Sequence, residues 1–187
     1  MARTALVTAE ELFCMSEDDR YELVKGVLVP MSPPPGFRHG ETVLNVTFPL
    51  TSFIRAHGLG RTTGAETGYR LGRDPDTVRA PDFAFVARGR ITPEMDQTRY
   101  LDLAPDLVVE VMSPSDTARS VAAKVRDYIN AGVRLIWVLD PRRRTVRIHR
   151  PGEEPRLLRE GDELSGEDVL PGFTYPVADL FADPEAL

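Results

Sequence analysis

Hydrophobic positions change their spacing several times along this chain, and each change marks an element. Two runs are apolar almost without interruption: Leu-Val-Val-Glu-Val-Met over residues 107–112 and Leu-Ile-Trp-Val-Leu over residues 135–139. Runs of this length fit strands buried on both faces. Between them, residues 116–131 follow helical spacing, with Val121, Val125, Tyr128 and Ile129 on one face. Ser115 or Asp116 is the expected cap of this helix and Gly132 its terminator. Strand, helix and strand in this order predict a right-handed crossover between parallel strands. A further strand over residues 145–150 is expected to return from a turn at residues 141–144.

The upstream half is shorter-ranged. Thr8 and Glu11 have capping-box spacing, which predicts a short helix over residues 9–15. Residues 21–29 read as a hairpin turning at Lys25-Gly26, and residues 31–36 as a proline-rich loop. A long helix is expected over about residues 39–57, with His39, Val43, Val46, Leu50, Phe53 and Ile54 on one stripe, a kink at Pro49, and an end at Gly58 and Gly60. Strands are expected over residues 67–71 and 78–87, joined across residues 72–76, then a polar loop with a little helix over 88–103. Residues 161–187 read as short extended pieces with one last turn of helix.

The chain of 187 residues suits one domain spanning its whole length. It has no apolar run of membrane-spanning length and no apolar segment of secretory type at its start. The lone Cys14 cannot pair within the chain, so a reducing cytoplasm is the simplest setting and a small buried hydrophobe its expected role. The net charge of −6 runs against a dedicated nucleic-acid binder, although a bound cation and local basic patches can offset it. Arginine far outnumbers lysine, which occurs at Lys25 and Lys124.

Glu110 is the strongest chemical clue, because it stands among Val108, Val109, Val111 and Met112. An ionised carboxylate there must be paired, metal-bound or protonated; a strand-end glutamate reaching solvent, or a structural ion pair, is the plainer alternative. Asp82 heads the apolar Phe83-Ala-Phe-Val86 and can share a cleft with Glu110 if the strands are neighbours. Alone it reads as a turn residue. As a pair, the two acids call for a proton or a cation between them, and oxygen ligands suit Mg²⁺ or Mn²⁺. Lys124 lies at the edge of the apolar stripe beside Val121 and Tyr128, leaning toward Glu110; the alternative is a stem that merely covers apolar surface.

His39 and Glu22 are supporting candidates. Alone, the first reads as a packed histidine and the second as an exposed strand residue. His57 suits a helix C-terminus, and His149, alternating with Val146 and Ile148, is expected to face solvent. Arg142, Arg143, Arg144, Arg147 and Arg150 form the one basic cluster. It can hold phosphates, but a solvated hairpin tip and edge strand is the preferred reading. Phosphate-binding glycine loops, HExxH, Gly-x-Ser-x-Gly and paired cysteines are all missing.

Pro81-Asp82, then Glu110-Val-Met112, then Lys124 on the next helix resemble the PD-(D/E)XK nuclease superfamily. More closely, the chain is similar to the Uma-two family of restriction-endonuclease-like proteins. The matching stretches are residues 20–29, His39-Gly40, 64–70, 78–86, 105–116, Lys124, 131–133 and 137–141. The superfamily places a lysine two residues after the glutamate; Met112 stands there in this chain, and Lys124 is the matching lysine. The resemblance implies an α/β fold with a restriction-endonuclease-like core, a central mixed sheet flanked by helices. It implies an endonuclease that hydrolyses DNA phosphodiester bonds. Asp82, Glu110 and the Val111 carbonyl would hold Mg²⁺ (or Mn²⁺) to polarise the phosphate and activate water. Lys124 would orient that water or stabilise developing charge, with Glu22 and His39 in support. A homodimer is compatible with such a nuclease. The rival expectations are a non-catalytic binding or assembly module on the same fold, and a metal-dependent hydrolase of a small phosphate compound.

Overall fold

The computed structural model describes residues 6–16 and 20–183. Residues 1–5 and 184–187, and with them the ends of the two terminal segments read above, lie outside the described residues. The elements are α1 (Ala9–Phe13), β1 (Tyr21–Val24), β2 (Val27–Pro30), α2 (Phe37–Ala56), β3 (Gly60–Gly64), β4 (Tyr69–Gly72), β5 (Thr77–Arg79), β6 (Phe83–Ala87), β7 (Leu107–Val111), α3 (Ala118–Asn130), β8 (Leu135–Asp140), β9 (Thr145–His149), β10 (Arg156–Leu158), β11 (Glu163–Ser165), β12 (Thr174–Pro176) and α4 (Val177–Leu180).

The central sheet has six strands in the order β10-β9-β8-β7-β6-β3. β7 and β8 are parallel, as the crossover through α3 requires, and their neighbours are antiparallel, so the sheet is mixed. A four-stranded sheet, β2-β1-β5-β4, and the small ribbon β11-β12 complete the strands. No described helix is long and apolar enough to cross a membrane.

The two faces of the central sheet bury different things. Phe83, Phe85, Val109, Val111, Trp137 and Leu139 point one way and pack with Val46, Leu50 and Ile54 of α2 and with the C-terminal segment. Val108, Ile136 and Val138 point the other way, against Val125 and Tyr128 of α3. On that same face Ala84 and Val86 meet Tyr69 and Leu71 of the small sheet. Burying these side chains stabilises the fold by about 25 cal/mol per Å² of apolar surface. It also leaves β7 enclosed on both sides along its full length.

Several expectations are met. The capping box of Thr8 and Glu11 is present. The hairpin turns at Lys25-Gly26, both with positive φ, as a two-residue hairpin turn requires. Pro49 lies inside α2. Other expectations need correction. Residues 78–87 are not one strand: β5 and β6 belong to different sheets, because Ala80-Pro81 interrupts pairing where proline has no N–H to donate. Gly60 does not simply end a helix but opens β3, an edge strand whose tight approach to β6 needs glycine: a Cβ there would lie 2.1 Å from the Val86 carbonyl. α3 is capped by Thr117 with Ser120, not by Ser115 or Asp116; Asp116 instead accepts from the Ser113 N–H at 2.7 Å. The loop at 88–103 contains turns and no helix. Cys14 is exposed rather than buried, since it caps the C-terminus of the short α1 beyond the buried Leu12. β9 is an interior strand, the edge being β10, and His149 is half-buried rather than solvent-facing.

Candidate active site

The site forms where β6 begins and β7 ends. The last pair of the β6–β7 ladder is Phe83 with Val109. One step further, Asp82 and Glu110 occupy opposed positions, on the face that carries Ala84 and Val108. That face looks toward α3 and the small sheet. Opposed residues on antiparallel strands have Cβ atoms about 5 Å apart. The charge of Asp82 is felt at both Glu110 and Lys124, so the two predicted acids lie near one another.

Glu110 is 8% exposed. Lys124 Nζ donates to its Oε2 at 2.9 Å, and the Tyr128 hydroxyl donates to its Oε1 at 2.6 Å. Both donors come from α3, four residues apart and hence on one helix face. Burial, more than any other influence, pushes the Glu110 carboxyl above its usual range. The charges of Asp82 and Glu22 add to the rise, while Lys124 and Tyr128 oppose it. Burial alone would depress the Lys124 ammonium, but the negative charges of Glu110, Glu22 and Asp82 raise it above its ordinary value. Burial thus drives the Glu110 shift, while the surrounding negative charge drives the Lys124 shift.

Asp82 caps the end of β7: its Oδ2 accepts from the Val111 N–H at 2.8 Å. His39, in the first turn of α2, approaches the same oxygen from the other side of the sheet's end, with Nε2 at 3.6 Å. The neighbouring Asp82 carboxylate is the main cause that raises the His39 imidazole above its ordinary value, with further support from the Val111 carbonyl and the charge of Asp116; burial opposes the rise.

Glu22 departs from the exposed strand residue expected of it alone. It is buried on β1, where Leu23 pairs with Val78, so that Glu22 stands opposite Arg79. Arg79 Nη1 donates to its Oε2 at 2.6 Å, and the Ala80 N–H donates to its Oε1 at 3.2 Å. The same guanidinium holds Asp127 of α3 through Nε at 3.0 Å and Nη2 at 2.6 Å. Arg79, Asp127 and the Tyr128 hydroxyl are neighbours of the site that sequence reasoning missed.

The group as a whole has four carboxylates, Glu22, Asp82, Glu110 and Asp127, against two fixed cations, Arg79 and Lys124. Among the described residues no three His, Cys, Asp or Glu side chains form a metal-binding cluster. The oxygen donors at this place are the carboxylates of Asp82 and Glu110. That set fits Mg²⁺ or Mn²⁺, hard cations held by one or two carboxylates with waters completing the shell.

The fold and this arrangement define an α/β protein of nuclease architecture. A structure described as a putative nuclease belonging to DUF820, from Anabaena variabilis ATCC 29413, superposes with a TM-score of 0.79 over 94% of this chain and 97% of that one, at 20% sequence identity. Residues 9–178 match the Uma2 family, described as "Putative restriction endonuclease", and the chain belongs to that family. No curated protein matches the sequence.

Proposed function

We propose that the protein is an endonuclease that hydrolyses DNA phosphodiester bonds with the help of a divalent cation, Mg²⁺ or Mn²⁺, held by Asp82, Glu110 and the Val111 carbonyl. Membership of the family supports the nuclease class. The observation that carries the reading is Glu110 itself. It is a buried carboxylate on a strand enclosed on both faces, held by Lys124 and Tyr128 and close enough to a second acid, Asp82, to feel its charge. A bound cation would supply Lewis-acid polarisation of the phosphate and a lowered pKa for an attacking water.

The side chains divide the remaining work. Lys124, held cationic by its acidic surroundings, is no general base; it stabilises charge that builds up on the phosphate. Tyr128 and Lys124 together fix the rotamer of Glu110. His39 steadies Asp82 and stays protonated to higher pH than a free imidazole. Glu22 is committed to Arg79, and so acts through its charge rather than as a ligand.

Supercoiled plasmid and a linear duplex, incubated with Mg²⁺, Mn²⁺ or chelator, test the reading. Metal-dependent cleavage that disappears in both Asp82→Asn and Glu110→Gln supports it. Cleavage retained by Glu110→Gln, or absent from the wild type under all conditions, refutes it. Hydrolysis of nucleotides without cleavage of DNA would move the substrate to a small phosphate compound.

A further inference from the structure

Beside the carboxylate site, on the same face of the central sheet, a cleft of about 820 Å³ opens between α3 and the strands β8, β9 and β10. Met112 and Asp116 line it, and they also line the small cavity that holds Glu110 and Lys124, so the two spaces adjoin. Its floor is apolar, with Val121, Val125, Val138 and Leu157. Its charged lining is four arginines, Arg142, Arg143, Arg147 and Arg159, against two carboxylates, Asp116 and Asp140. Both carboxylates are already engaged: Asp116 with the Ser113 N–H, Asp140 with the N–H groups of Arg142 and Arg143 and the Arg143 guanidinium.

The arginines sort by partner. Arg144 pairs with Glu160, and Arg150 with Glu153, Glu167 and Asp168, which accounts for them as structural. Arg142, Arg147 and Arg159 are exposed and have no carboxylate partner among the described residues. In a chain of net charge −6, a cleft where unpaired guanidinium groups gather over an apolar floor is built for an anion with an apolar part. A nucleic-acid strand has both, phosphates for the arginines and base faces for the floor. A cleft of this volume has room for a few unpaired nucleotides.

We propose that this cleft holds a short unpaired segment of the nucleic-acid strand, next to the scissile phosphate, with Arg142, Arg147 and Arg159 on its phosphates. The inference rests on the nuclease reading for its substrate and extends it to a path and a strand state. It makes Arg147 and Arg159 binding residues with no part in the chemistry.

Binding of a fluorescein-labelled single-stranded oligonucleotide and of its duplex, measured in chelator so that nothing is cut, tests it. Wild type should prefer the single strand. Arg147→Glu with Arg159→Glu should weaken that binding at least tenfold at low salt and reduce the salt slope by roughly 1.4, the value for two lost phosphate contacts on a single strand. The same charge change at Arg119 and Arg126, exposed residues of α3 outside the cleft, should leave affinity unchanged. Unaltered binding in the Arg147/Arg159 variant, equal loss in the Arg119/Arg126 variant, or a wild-type preference for duplex overturns the cleft assignment. A parallel cleavage assay separates the two claims. Cleavage with arginine-independent binding removes the cleft and leaves the nuclease. Arginine-dependent binding with no cleavage of any DNA keeps the cleft and removes the nuclease.

Discussion

Beneath α3 lie two neighbouring groups of buried charge, built on different terms. Around Arg79, two carboxylates share one guanidinium, which donates to Glu22 with one nitrogen and to Asp127 with two others. Around Glu110, one ammonium and one phenol serve a carboxylate that also faces the charge of Asp82. The first group spans β1, β5 and α3 and joins the small sheet to the helix. The second sits at the mouth of the sheet, where Asp82 and His39 keep partial contact with solvent. The contrast teaches that burial of an acid does not by itself mark chemistry. What distinguishes the second group is its place: an acid on a strand enclosed on both faces, beside a second acid that keeps partial contact with solvent.

Glu110→Gln should break the comparison most sharply. Cleavage should fall by about a hundredfold to a thousandfold, the scale of losing a preorganised electrostatic contact. The metal-free fold should stay within about 1 kcal/mol of wild type, because an unfavourable buried charge disappears and the partly exposed Lys124 can reach water. A large loss in urea unfolding would instead make Glu110 a structural ion pair.

Arg79→Met should do the reverse. It strands two acids in the interior and should cost about 3–5 kcal/mol of folding stability. The folded fraction should keep its affinity for divalent cation. Equal loss of cation affinity would show that the two groups are one site.

Tyr128→Phe is the finer probe. Loss of a hydrogen bond to a carboxylate should cost about 1.5–3 kcal/mol. Without the hydroxyl, which lowers the Glu110 pKa, the acidic limb of the cleavage profile should move to higher pH. An unmoved limb would assign the hydroxyl to packing alone.

The smallest effect concerns His39. Its folded pKa is raised above 6.5, so the protonated imidazole stabilises the folded state fully below 6.5, and that contribution fades as pH rises through the folded value. His39→Asn should therefore lose stability relative to wild type at pH 6 and approach it by pH 9 in urea titrations. A difference that is constant across this range would contradict the His39–Asp82 pairing.

Much of this was legible in the residues. Glu110 stood out because its valine neighbours mark a strand enclosed on both faces, and Lys124 because helical spacing set it at the edge of the apolar stripe. Asp82 needed the antiparallel register, which no local pattern states. β3 was hidden because Gly-Arg-Thr-Thr-Gly has no apolar alternation, as befits an edge strand. Arg79 was hidden because an arginine before Ala-Pro reads as a surface residue; the available signal was an opposite charge on a strand whose partner carries Glu22. Tyr128 was counted for its ring, and periodicity says nothing about where a hydroxyl points.

Calorimetric titration of the protein with Mn²⁺ tests the central claim most directly. Wild type should bind a cation, Asp82→Asn and Glu110→Gln should each abolish that binding, and Asp127→Asn, altered only in the neighbouring group, should retain it. Binding that survives in Glu110→Gln, or a wild type that takes up no cation, would contradict the account.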